Sequence, residues 1–141
     1  MTVTLSDRAR QYIALFEDEA GVTIRDCVVD EAYDRVLFVV KAGEMASAIG
    51  PSGRTVEQME EELGTRIELV EDADTAEAFV ANALAPAAVY NVTISENDDR
   101  IAYVEVDHDD TGVAIGKDGK NIDAARTLAD RHFDVDDIQL T

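Results

Sequence analysis

Ala114-Ile115-Gly116-Lys117-Asp118-Gly119 repeats the pattern of Ala48-Ile49-Gly50-Pro51-Ser52-Gly53, which stands 66 residues earlier in the chain. The correspondence extends outward on both sides of the glycines. Downstream, Arg54 meets Lys120, Val56 meets Ile122, Ile67 meets Phe133 and Leu69 meets Val135; upstream, Phe38 and Val40 meet Val104 and Val106. Residue types agree in order over nearly the whole half-chain without a gap, so the 141 residues read as two copies of one unit. Two copies are too few for a solenoid, so each should fold as a small domain, residues 1–72 and 73–141.

The elements of one copy follow from periodicity and punctuation. Ala9, Tyr12, Ile13 and Phe16 fall at helical spacing between Ser6, a good N-cap, and Gly21. Val22 to Val29 predicts a strand, and the polar Asp30-Glu31 turns the chain into a buried strand at Val36–Val40. A short helix over Met45–Ile49 leads to the glycine loop, and Val56, Met59 and Leu63 stripe the next helix, which Gly64 ends. Alternation over Arg66–Leu69 closes the unit with a strand. The second copy reads the same way: Phe79 and Val80 in a helix, strands at Val89–Ile94 and Ile101–Val106 about an Asn97-Asp98-Asp99 turn. A helix lined by Ile122, Ala125 and Ala129 then precedes a last strand over Phe133–Leu140. The fold class is α+β, with sandwich-like units in the order helix-strand-strand-helix-helix-strand. The seam near Glu71-Asp72-Ala73-Asp74 has no Gly/Ser- or Pro-rich linker.

Composition bounds the function. The chain holds 12 basic and 31 acidic residues for a net charge of −19, which excludes a generic basic nucleic-acid binder and disfavours an anionic membrane surface. A hydrophobic content of 46% is too high for a disordered acidic tail. There is neither a signal-peptide pattern nor an apolar run of the roughly 20 residues needed to span a bilayer. Lone Cys27 excludes a disulfide framework and a thiolate metal cluster. These features predict a cytoplasmic, monomeric globular protein that needs no cofactor. Only Lys41, Lys117 and Lys120 are lysines, and the acids are spread over both halves. That spread fits a molar-salt cytoplasm: at about 1 M salt the screening length is about 3 Å, and self-repulsion fades. The fold is therefore expected to be more stable in molar KCl than in dilute buffer.

A Gly-x-x-Gly between two helices suits a phosphodiester. The first glycine lets backbone approach backbone, and the second opens a helix whose N–H groups and dipole favour an anion. Arg54 or Lys120 can add a phosphate contact, while Ile49 and Ile115 wall a shallow apolar groove for bases. Such a site holds a few single-stranded nucleotides by their backbone.

Gly50-Pro51-Ser52-Gly53 and Gly116-Lys117-Asp118-Gly119, each within that element order, resemble the loops of tandem KH domains of type II topology. The run from Ala114 to Ile122 is similar to the KH repeats of the NusA family, whose archaeal members are short two-KH chains; this chain resembles one from a halophile. The resemblance covers nearly all of the chain. It implies RNA contacts at Ile49, Gly50, Pro51, Ser52, Gly53 and Arg54 and at Ile115, Gly116, Lys117, Asp118, Gly119 and Lys120. It further implies a transcription factor that binds single-stranded nascent RNA beside RNA polymerase and modulates elongation, termination or antitermination. Two departures set the loops apart: Pro51 lacks an N–H and replaces a basic residue, and Asp118 brings a carboxylate toward the phosphates.

Other motifs carry less. Gly112 to Lys117 is one residue short of a P-loop, and Asp118 stands where a metal-binding hydroxyl is required. His108-Asp109-Asp110 reads as a solvated turn, His132 as a helix-end residue, Cys27 as core and Glu60-Glu61-Glu62 as an exposed helix face. With two histidines and no nucleophile constellation, the chain does not read as an enzyme. The alternatives to an RNA-binding transcription factor are a module that docks polymerase or ribosomal proteins, its RNA binding vestigial, and a KH factor in ribosome assembly.

Overall fold

The computed structural model describes residues 3–141. The chain divides into two compact units at Asp72/Ala73. In the first, Ser6 caps α1 (Asp7–Ala20) by accepting the Ala9 N–H at 3.1 Å, and left-handed Gly21 ends it. β1 (Ile24–Asp30) and β2 (Arg35–Val40) form an antiparallel hairpin. The short helix α2 (Met45–Ile49), a tight 3-10 turn at Pro51–Gly53 and α3 (Arg54–Leu63) follow, and β3 (Arg66–Glu71) returns parallel to β2. A β-α-β return of this kind needs the helical crossover that α2 and α3 supply. Phe16 and Phe38 meet at 4.9 Å between ring centroids in the core, with Met59 and Ile67 buried beside them. Each such fully buried side chain contributes roughly 1.5–3 kcal/mol. Cys27 is buried, as its strand position implied.

The second unit repeats the plan: α4 (Ala76–Ala83), β4 (Val89–Glu96), β5 (Arg100–Val106), α5 (Thr111–Ile115), a 3-10 turn at Lys117–Gly119, α6 (Lys120–Phe133) and β6 (Asp137–Leu140). The sheet order is β4-β5-β6, antiparallel then parallel, as in the first sheet. Small details recur too. Both hairpins carry a bulge at the start of their first strand, at Arg25 and Tyr90. Glu44 accepts the Thr23 N–H at 2.6 Å just as Asp110 accepts the Ala88 N–H at 2.8 Å.

One expectation fails. The last strand begins at Asp137, not Phe133, and the repeat is not free of gaps: β4 follows β1 by 65 residues while β5 follows β2 by 66, and the register slips again at the long helix. α6 has 14 residues where α3 has 10, so Phe133 is helical and packs its ring 5.2 Å from that of Phe79. Left-handed Asp134 then ends the helix in the role that Gly64 has after α3. The true partner of Ile67, which pairs with Val36, is Ile138, which pairs with Ala102.

Candidate nucleic-acid interface

The two glycine turns have different side chains and one backbone. Gly50 and Gly116 adopt φ/ψ of 78°/171° and 79°/167°. Ser52 and Asp118 are left-handed at 56°/28° and 57°/21°, and Gly53 and Gly119 follow at 75°/13° and 79°/10°. Corresponding angles differ by a few degrees only. Pro51 takes the first position of its turn, where a fixed φ and a missing N–H are tolerated. A left-handed non-glycine residue costs roughly 1–2 kcal/mol, and Asp bears that conformation better than most residues.

The reason for the first glycine differs from the sequence expectation. A Cβ on Gly116 would lie 2.8 Å from the Asn121 backbone nitrogen, and one on Gly50 would lie 2.1 Å from Thr55 Oγ1 and 2.9 Å from the Thr55 nitrogen. The space these glycines save is turned inward, onto the helix that follows. They let the turn fold back on α3 or α6. At Gly53, by contrast, a Cβ would meet nothing within 4 Å.

The amides also sort differently. The Gly53 N–H donates to the Gly50 carbonyl and the Gly119 N–H to the Gly116 carbonyl, both at 3.1 Å. The Arg54 and Lys120 N–H groups donate to the carbonyls of Pro51 and Lys117. These four N–H groups therefore close the turns. What each turn exposes is its middle pair, Pro51-Ser52 or Lys117-Asp118, with Arg54 or Lys120 opening the helix that follows. Only the second turn has a basic residue in that pair.

Ile49 and Ile115 end the short helices beside the turns, each 39% exposed, and Val113 adds a further 44% exposed apolar side chain in the second unit. Beneath, Ala48 and Ala114 are buried and hold each short helix close to its unit. Sequence reading missed Asn121. Its Nδ2 donates to the carbonyls of Ala114 at 3.1 Å and Leu84 at 3.2 Å, and lies 3.4 Å from that of Val113. It ties the root of the second turn to α4 and α5. Asn121 follows the basic residue directly, and that adjacency to a glycine turn was the only signal available.

His108–Asp110 forms an exposed turn, and no group of three metal-ligating side chains occurs among the described residues. Asp107 opens that turn by accepting the Asp109 N–H at 2.9 Å and the Tyr90 hydroxyl proton. The Tyr90 bond first, and the Asp109 N–H second, hold the Asp107 carboxyl below its usual range, and the bond to Asp107 pushes the Tyr90 phenol up. No helix among the described residues is long and apolar enough to cross a membrane.

Two α-β-β-α-α-β units, each with a glycine turn between its second and third helices, define a tandem KH protein of the type II topology. Residues 10–77 match the KH domain family and residues 76–141 the NusA-like second KH domain. The chain is 64% identical over 140 residues to the probable transcription termination protein NusA of Halococcus morrhuae, covering 99% of each. It is 62% identical to that of Halobacterium salinarum, over the whole of both chains. The crystal structure of APE1850 superposes with a TM-score of 0.87 at 33% identity, covering 97% of this chain and 100% of that one. The chain belongs to the archaeal NusA-like family of RNA-binding transcription factors, modules that bind rather than catalyse.

Proposed function

We propose that the chain holds single-stranded nascent RNA chiefly through Gly116–Lys120, with Gly50–Arg54 as a weaker second contact. In this reading it works in the cytoplasm as a monomer, beside RNA polymerase, on elongation, termination or antitermination. The observation that carries the reading is the shared backbone of the two turns together with their unequal cations. Lys117 and Lys120 flank the second turn, and Arg54 alone serves the first. Contact-range interactions with phosphate persist in molar salt, where long-range steering is lost, and bases can rest against Ile115 and Val113 or against Ile49.

The test substitutes Gly119→Asp and Gly53→Asp, which place a carboxylate at the turn without altering the buried stripe of the following helix. Anisotropy on a short single-stranded RNA in molar KCl should show a large loss for Gly119→Asp and a smaller one for Gly53→Asp. Unchanged binding in both, with both proteins folded, sinks the RNA-clamp reading in favour of a protein-docking module. Co-purification with polymerase or with ribosomal subunits separates transcription from ribosome assembly.

A further inference from the structure

The outer face of the second sheet is unlike anything in the first unit. Along β5, Ala102, Val104 and Val106 are buried, so Tyr103 and Glu105 point away from the helices; Tyr103 is 36% exposed. Thr93 on β4 and Gln139 on β6 flank Tyr103 in register, and Asn91 lies opposite Glu105. All of these side chains are exposed. None of the outward positions of the three strands is Lys or Arg. Asp137, the other acid of this face, is engaged by Arg126 Nε at 2.9 Å, which leaves Glu105 as the carboxylate beside the ring. At the same places in the repeat the first unit has Leu37 and Val39, both buried. The two copies diverge here from apolar to aromatic and acidic.

We propose that this sheet face docks an extended polypeptide segment through an arginine laid over Tyr103 and paired with Glu105. Residues two apart on a strand stand roughly 7 Å apart on one face, within the span of one planar guanidinium and its stem. A guanidinium stacks on a tyrosine ring and forks onto a carboxylate, and an ammonium does both less well. Thr93, Asn91 and Gln139 supply neutral donors and acceptors for the backbone of such a segment. A phosphate chain would meet Glu105 with no cation to offset it. Stacking and forked hydrogen bonds act at contact and so survive molar salt. The inference does not depend on the RNA-clamp reading.

The test uses the full chain, isotopically labelled, in about 2 M KCl, where only short-range contacts remain. The probes are the peptide Gly-Arg-Gly-Arg-Gly-Arg-Gly and its lysine counterpart. The arginine peptide should shift the amides of Thr93, Tyr103, Glu105 and Gln139, leave Gly116–Lys120 unmoved, and bind several-fold tighter than the lysine peptide. Tyr103→Ser and Glu105→Gln, both at exposed positions, should each weaken it several-fold while the melting temperature holds. Shifts that are absent, equal for lysine, or confined to the glycine turns overturn the proposal. So does a short single-stranded RNA that moves the sheet face instead, or a dilution dependence that marks a second copy of the chain there. Loss of RNA binding at the turns with the peptide result intact would remove the clamp reading alone.

Discussion

The first glycine turn reads Pro51-Ser52 at its middle and the second reads Lys117-Asp118, yet their backbones trace the same path. Proline, serine, lysine and aspartate have little in common. What the turns share lies around those positions: a glycine that would clash with the next helix if it had a side chain, and a second glycine in the left-handed region. Conformation is thus set by the frame and chemistry by the filling. A duplicated unit can change what it grips without changing the grip.

The largest expected effect tests the frame. Gly116→Ala and Gly50→Ala each put a Cβ into the following helix at a φ near +79°, and each should destabilise its unit by about 2–4 kcal/mol. Thermal melts in molar KCl should show comparable losses for the two; if one is silent, the turns are not structural equivalents. Next comes the filling. Exchanging Lys117 for Pro should weaken RNA binding by about ten- to a hundredfold, since a charge-assisted contact is worth about 1.5–3 kcal/mol. The reciprocal Pro51→Lys should strengthen it by a smaller factor, and an affinity that fails to follow the lysine breaks the comparison. Third, Asn121→Ala removes ties to the Ala114 and Leu84 carbonyls, and should lower stability by about 1–2 kcal/mol and loosen the second turn alone. Hydrogen exchange at Gly116–Gly119 reads this directly.

The smallest effect concerns a pair that only the second unit has. Arg25 and Lys41 stand in the first unit where Tyr90 and Asp107 stand in the second. Because the folded Asp107 carboxyl lies below its unfolded range, its contribution is present above the unfolded value and fades as pH falls through the folded one. The Tyr90 phenol is raised, so its share is present at neutral pH and is lost as pH rises through the folded value. Tyr90 is exposed and Asp107 half-buried at the surface, and Tyr90→Phe should lower the melting temperature only slightly at pH 7. Melts along a pH series should show that gap narrowing toward acid, and a gap independent of pH would remove the pair from consideration.

Much of this could be read from the chain because punctuation was unambiguous. Ser6, Gly21 and Gly64 bound helices at the places where the structure ends them. Phe133 misled because an apolar residue after a helix serves equally as the next helical turn or the first strand position. Packing against Phe79 decides it, and that contact is remote in sequence. The left-handed Ser52 and Asp118 carry no glycine to announce them. The inward purpose of Gly50 and Gly116 depends on Thr55 and Asn121 coming back over them, a three-dimensional fact. The glycine turns were legible as a site; which of their amides are already engaged was not.

Seven of the carboxylates do more than add charge. Glu17, Glu44, Glu60, Glu71, Asp107, Asp110 and Asp136 each accept a backbone N–H from a residue at least two positions away, at 2.6 to 2.9 Å. Salt ions can screen the repulsion among acids, but they do not replace a directed acceptor held against an amide. A version of this protein rewritten for dilute buffer, with surface acids exchanged for lysine or glutamine, would have to spare these seven, together with Asp30 and Asp137, which hold Arg35 and Arg126. The acidity that marks a brine-dwelling chain is therefore of two kinds, one a response to the solvent and one part of the joinery, and only the first is negotiable.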